Sequence, residues 1–184
     1  MDVYEPAEDS YLIQKQIPKD LAGKKVLDMG TGTGILAITA AKAGAMVTAV
    51  DCNKDAIKVA KENAKKEKVK IKFIHSDLFS KVRGKFDLIL CNPPYLPEDE
   101  IDKLIGPSEM YSGGKTGRQF IERFVKSAPK YLKKSGKLVM VFSTLTGEKE
   151  VLDLLKQNGF ETKILARQKI PWEELIVIEA RLVT

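Results

Sequence analysis

Residues 25–34 read Lys25-Val26-Leu27-Asp28-Met29-Gly30-Thr31-Gly32-Thr33-Gly34, a short apolar run that stops in three alternating glycines. Ile35–Ala43 follows with helix composition and ends at Gly44, a residue suited to the left-handed position after a helix. Strand, glycine turn and helix in that order open a βαβ unit, and the rest of the chain continues the rhythm. Met46–Val50 is a second strand ending at Asp51, Asp55–Lys66 a helix with Asn53 or Asp55 as N-cap, and Lys70–Ile74 a third strand. Phe86–Cys91 is a fourth strand, broken by Asn92-Pro93-Pro94. Apolar residues at 120, 121, 124, 125, 128, 131 and 132 predict a helix over Arg118–Leu132, stopped by Ser135-Gly136. Lys137–Ser143 reads as the fifth strand and Glu148–Gln157 as a helix. Phe160–Ala166 and Glu174–Arg181 read as two closing strands, joined by a loop with Pro171 and Trp172 and able to pair as a hairpin-like edge. The sum is a single doubly wound α/β domain over residues 1–184, with about seven strands.

Composition bounds what such a domain can do. A chain of 184 residues, 43% hydrophobic and 30% charged, holds a core large enough to fold without disulfide or metal staples. Cys52 and Cys91 are far apart, with no CxxC pattern and no Cys/His cluster, so no zinc site is expected. His75 is the only histidine, and nothing near it resembles a nucleophile elbow, which argues against triad hydrolysis. No apolar stretch approaches a membrane span and Met1–Tyr4 lacks signal-peptide character, so a cytoplasmic protein is expected. The net charge of +6 admits an acidic or nucleic-acid partner. The run Lys54, Lys58, Lys61 and Lys65, however, recurs opposite Ile57, Ala60 and Ala64 and reads more simply as a solvated helix face.

In open α/β sheets ligands bind beyond the carboxyl ends of the strands, so the residues that follow each strand carry the function. Gly30, Gly32 and Gly34, with Thr31 among them, let backbone turn tightly and approach a ligand. The spacing departs from the dinucleotide fingerprint G-x-G-x-x-G, because the sixth position from Gly30 is Ile35. Asp28, two residues before the first glycine, would repel a pyrophosphate but suits the cationic amino-acid end of a cofactor such as S-adenosylmethionine. Asp51, 21 residues after Gly30, can accept both hydroxyls of a ribose, with Cys52 packed beside it. Asp77, flanked by Ser76 and Leu78, can accept from an adenine 6-amino group. Taken singly each acid is as well explained by capping a helix or turn; three of them on consecutive strand ends are not.

Asn92-Pro93-Pro94-Tyr95 directly follows a strand and fits the alkylation of a planar NH2 group. The lone pair of such a nitrogen is delocalised, so positioning must replace strong base chemistry. The Asn92 side-chain oxygen and the Pro93 carbonyl can each accept one N–H. Pro93 and Pro94 stiffen the edge, and Tyr95 can cover the planar group. Asn92 thereby stands beside both cofactor and substrate.

Together, residues 26–34 and Asn92–Tyr95 resemble the class I S-adenosylmethionine-dependent methyltransferases. Val3-Tyr4-Glu5-Pro6-Ala7-Glu8-Asp9-Ser10 and Gly113-Gly114-Lys115-Thr116-Gly117-Arg118 resemble the HemK family, closest to its short archaeal and eukaryotic branch. The resemblance implies a Rossmann-like, mostly parallel seven-stranded sheet with an antiparallel last strand. It implies transfer of a methyl group to the glutamine side chain of the Gly-Gly-Gln motif in a class 1 peptide-release factor, leaving S-adenosylhomocysteine. It also implies a lid at residues 1–20 with Tyr4, Pro6 and Asp9 near the cofactor and a small zinc-binding activator at the Lys70–Ile74 edge. Residues 96–117, with Pro97, Pro107, four glycines and few periodic apolar residues, read as a substrate loop. In their own right, Glu5–Ser10 offer an N-cap and early-helix acids. Two other functions remain open: methylation of an exocyclic base amine in DNA or RNA, and a nucleotide-binding module without catalysis.

Overall fold

The glycine-loop strand, β1 (Lys25–Met29), lies near the middle of one seven-stranded sheet of order β3-β2-β1-β4-β5-β7-β6. The computed structural model describes residues 3–96 and 114–183; the greater part of the 96–117 stretch lies outside them. The other strands are β2 (Met46–Asp51), β3 (Ile71–His75), β4 (Phe86–Cys91), β5 (Leu132–Ser143), β6 (Phe160–Ile170) and β7 (Glu173–Leu182). β7 is inserted between β5 and β6 and runs antiparallel to both, and the other pairings among the described residues are parallel. The described helices are α1 (Glu8–Gln14), α2 (Ile35–Lys42), α3 (Lys54–Lys66), α4 (Gln119–Ser127) and α5 (Glu148–Gln157).

Strand alternation divides the core into two layers. Leu27, Met29, Ile89, Cys91, Met140 and Phe142 pack with Ile121 and Phe124 of α4 and Val151 and Leu155 of α5. Their sequence neighbours Val26, Leu88, Leu90, Val139 and Val141 face the other way, onto Leu12 and Ile13 of α1 and Leu36 and Ala37 of α2. The sheet is therefore covered on both faces, as near-continuous apolar strands require.

The expected helix over Arg118–Leu132 ends early, at Ser127. Pro129 lacks the N–H that would continue the α-helical ladder, and Ala128–Tyr131 tighten into a 3₁₀ turn. The freed chain enters β5 at Leu132, five residues before the expected strand, and pairs with Phe86 across an irregularity. Gly136 sits there against the Phe86 carbonyl, where a Cβ would come within 2.8 Å. β6 is also longer than expected, because the Ile170–Glu173 pair closes a hairpin around only Pro171 and Trp172. At the amino end, α1 begins at Glu8 with no side-chain cap, so the Glu5–Ser10 acids do not serve as an N-cap.

Candidate active site

β1 and β4 pair in parallel register, Met29 opposite Cys91, so the glycine loop and Asn92-Pro93-Pro94-Tyr95 leave the sheet side by side. The β1–β4 boundary is where the strand order reverses, the position at which open α/β sheets form a crevice. A cavity of about 610 Å³ opens there. Gly30, Thr31, Gly32, Asp51, Cys52, Asn92, Pro93, Pro94 and Tyr95 line it, and from the amino-terminal segment Tyr4, Pro6, Asp9 and Ser10 join them. The Gly30 and Gly32 backbones adopt φ of 73° and 54°, and Cβ atoms on them would approach the Asn92 and Tyr4 carbonyls. Side chains at these two positions would narrow the space between the two loops and strain the turn.

Asp51 braces the glycine loop. Its carboxylate accepts from Gly32 N–H at 2.9 Å and from Asn53 N–H at 2.9 Å. Two of its roughly four lone-pair sites are thus used and the others are open to a ligand hydroxyl. Asn53 in turn caps α3 by accepting from Asp55 N–H, which decides between the two candidate caps. Beside it, Cys52 has its thiol pKa raised by burial and by Asp51, while its carbonyl meets the His75 ring at 2.8 Å.

Asp28 lies under the loop rather than on the cavity wall. One oxygen accepts from Thr31 Oγ1 at 2.6 Å and from Ala37 N–H at 3.1 Å, tying β1 to the start of α2. The other oxygen is buried and unpartnered. Burial pushes the carboxyl up to about 7 from 3.8; Thr31 and Ala37 oppose the rise and Asp51 adds to it. A raised pKa means that the folded chain holds a proton the unfolded chain gives up near pH 4. That contribution is complete below the unfolded value and is lost as pH climbs toward 7. Urea melts at about pH 5 and about pH 8 should therefore show the wild type losing up to about 3 kcal/mol relative to Asp28→Asn. Parallel pH dependences would mean the carboxyl is ionised throughout.

Some sequence-selected residues are not brought to the cavity wall. Ser76 Oγ is engaged with Leu78 O, Ser80 Oγ and Lys81 N–H, which shapes the turn after β3, with Leu78 at φ 45°. The Asp77 carboxylate accepts from Arg123 at 2.6 Å, and it is Arg123 that lines the cavity. Gly34 instead packs on Ala60, where a Cβ would lie 3.1 Å from that residue's own.

The cavity is also lined by residues to which the strand-end pattern assigns no site role: Ser10 in α1, and Gln119, Phe120 and Arg123 in α4. The apolar stripe of α4 drew attention to its buried face, while its flank faces the cavity. Tyr95 closes the far side. Its hydroxyl donates to Asp9 Oδ2 at 3.2 Å, its carbonyl accepts from Thr146 Oγ1, and its pKa is raised by burial first, then by Asp9 and Glu173.

Comparison with known proteins follows this geometry. Residues 7–169 match the methyltransferase small domain family. A Methanocaldococcus jannaschii protein that bears the name of a protein N5-glutamine methyltransferase is 50% identical over 181 residues, 97% of this chain and 91% of its own. Mouse methyltransferase HEMK2 is 32% identical over 181 residues, 91% of this chain and 84% of its own. Among solved structures, the E. cuniculi Mtq2–Trm112 complex, responsible for methylation of the eRF1 translation termination factor, superposes with a TM-score of 0.79. It covers all of both chains at 28% identity. With the fold, the strand-end loops and these relatives in agreement, the chain belongs to the methyltransferase small domain family and, within it, to the HemK-type protein methyltransferases.

Proposed function

We propose that this protein transfers a methyl group from S-adenosylmethionine to the side-chain amide nitrogen of glutamine in the Gly-Gly-Gln motif of a class 1 peptide-release factor. The observation that carries the reading is Asn92 Oδ1, a buried acceptor without a partner at the mouth of β4, beside the buried Pro93. A buried, unpaired acceptor costs stability unless a ligand N–H satisfies it, and a primary amide supplies two. Glutamine methylation as named for the M. jannaschii relative, and eRF1 methylation as named for the Mtq2–Trm112 complex, favour an amide over a base amine.

The chain fits the donor as well as the acceptor. When bound, S-adenosylmethionine supplies a methyl group on a sulfonium centre, ready for displacement. Gly30, Thr31 and Gly32 cradle it, Asp51 accepts from its ribose with Cys52 alongside, and Asp28 and Gly34 act from behind the loop, Asp28 by holding Thr31 and the start of α2 and Gly34 by packing on Ala60. Tyr4, Pro6 and Asp9 close over it as part of an amino-terminal lid, while on the adenine side Arg123 faces the cavity and Asp77 acts behind it, through the ion pair, with Ser76 and Leu78 shaping the turn. Asn92 and Pro93 hold the acceptor N–H groups, and Pro94 and Tyr95 flank its plane and exclude water. This is catalysis by orientation, requiring no strong resident base.

A small zinc-binding activator adds to the open edge of β3, which pairs only with β2 among the described residues. Nucleic acid is a secondary partner for the basic surface. No helix among the described residues is long and apolar enough to cross a membrane.

The reaction is tested with labelled methyl donor, release factor, and DNA or RNA, each with and without the activator. Label on the glutamine of Gly-Gly-Gln, located by mass spectrometry, is the expected result. Label confined to nucleic acid would transfer the assignment to base-amine methylation. Donor binding with no product from any amine would leave a nucleotide-binding module.

A further inference from the structure

Four donors meet on the Asp9 carboxylate. Tyr4 Oη, Ser10 N–H and Ser10 Oγ reach Oδ1, at 2.7 Å and 3.1 Å for the two hydroxyls, and Tyr95 Oη reaches Oδ2. Both Asp9 and Ser10 are almost completely buried, at 4% and 3% exposure. The Asn92 side chain, 82 residues away, touches this group through Nδ2, which donates to Ser10 Oγ at 3.1 Å.

A hydroxyl has one proton; a carboxylate is the strongest acceptor beside it here, and with the proton directed at Asp9 the Ser10 Oγ keeps lone pairs for any further neighbour. Only a donor can face it. The NH2 side of Asn92 must therefore turn toward Ser10, and Oδ1 must turn away, where it is left buried and unpartnered. With the amide rotated by half a turn, Ser10 Oγ would have to swing its proton from the Asp9 carboxylate to Asn92 Oδ1, giving up a charge-assisted hydrogen bond for a neutral one. The group offered to an incoming N–H would then itself be a donor. Amide orientation is set by the surrounding hydrogen-bond network, and the carboxylate's hold on the Ser10 proton favours this one.

We infer that Ser10, polarised by Asp9, is the positioning residue that fixes the Asn92 amide with its oxygen available to the methyl acceptor. The amino-terminal helix thus reaches beyond covering the cleft and determines which atom of Asn92 meets the substrate. The inference rests on the amide-methylation reading for its consequence in catalysis; the orientation of Asn92 can be observed independently.

Ser10→Ala removes the oxygen without disturbing helix α1, since alanine is the better helix former. The expected effect is a fall in kcat of roughly tenfold or more, with the KM for S-adenosylmethionine within about twofold of wild type. Ser10→Thr, which keeps the hydroxyl, should recover most of that loss. If the two residues act as a unit, adding Asn92→Ala to Ser10→Ala lowers the rate little beyond Asn92→Ala alone.

Nitrogen–proton NMR gives a readout that needs no turnover. The Asn92 NH2 signal is identified by its absence in Asn92→Ala. One of its protons should exchange slowly in the wild type and in Ser10→Thr, and lose that protection in Ser10→Ala. An Asn92 signal indifferent to Ser10→Ala, or rate losses from the two alanine variants that multiply independently, would overturn the inference. A wild type that methylates no amide, with the Asn92 signal still answering to Ser10, would instead remove the proposed function and uphold the coupling.

Discussion

Asn92→Ala is expected to lower kcat for glutamine methylation at least about 100-fold while leaving S-adenosylmethionine affinity within a few-fold of wild type. The size follows from removing one oriented hydrogen-bond partner in a preorganised site, typically about 3 kcal/mol. Two features make Asn92 such a partner: its Nδ2 is held by Ser10 at 3.1 Å, and its Oδ1 is buried with nothing to accept. Alanine keeps the backbone path into Pro93 but leaves only one of the two proposed acceptors. The acceptor amide can still enter the cleft, yet it is free to rotate, and orientation is what the slow, delocalised nitrogen most needs. Steady-state rates with release factor, cofactor titration by calorimetry and a thermal melt separate the effects. Lost cofactor affinity with an intact rate would place Asn92 at the donor instead of the acceptor.

The second large effect belongs to the opposite wall. Asp51→Ala should weaken S-adenosylmethionine binding by roughly 100-fold, since hydrogen bonds to a charged group contribute about 1.5–3 kcal/mol each. The carboxylate has two tasks: it holds the glycine loop through Gly32 N–H and the start of the next helix through Asn53 N–H, and it retains lone pairs for the ribose. Alanine removes both the ligand contact and the brace on the loop. At saturating donor, kcat should fall less than about tenfold, because the acceptor clamp lies across the cavity on β4. Asp51→Asn, which keeps the shape but converts one acceptor into donors, should fall between. Calorimetric affinities for the three proteins rank the series; equal affinities in all three would remove Asp51 from the donor site.

Much of this was legible from the chain itself. The glycine run after β1, the apolar strands and the amphipathic helices reflect local sterics and periodicity, which depend on residues a few positions apart. Where reading failed, a distant contact had intervened. Pro129 ended α4, but where β5 then began depended on pairing with Phe86. Asp77 followed a strand as expected, and its carboxylate is engaged by Arg123, 46 residues further on. Ser10 reads locally as part of a helix start, and only the packed chain sets it against Asn92.

By itself the sequence determined the order of strands and helices, the flexible turn after β1 and the chemical identity of the residues at each strand end. Tertiary structure alone decided which ends meet: β1 and β4 are neighbours because the sheet reverses its winding there and buries both faces, and no local periodicity encodes that adjacency. It also decided which way the Asn92 amide turns, since that orientation comes from a hydroxyl brought in by α1, and a hydrogen bond between residues 82 positions apart exists only once the chain has packed.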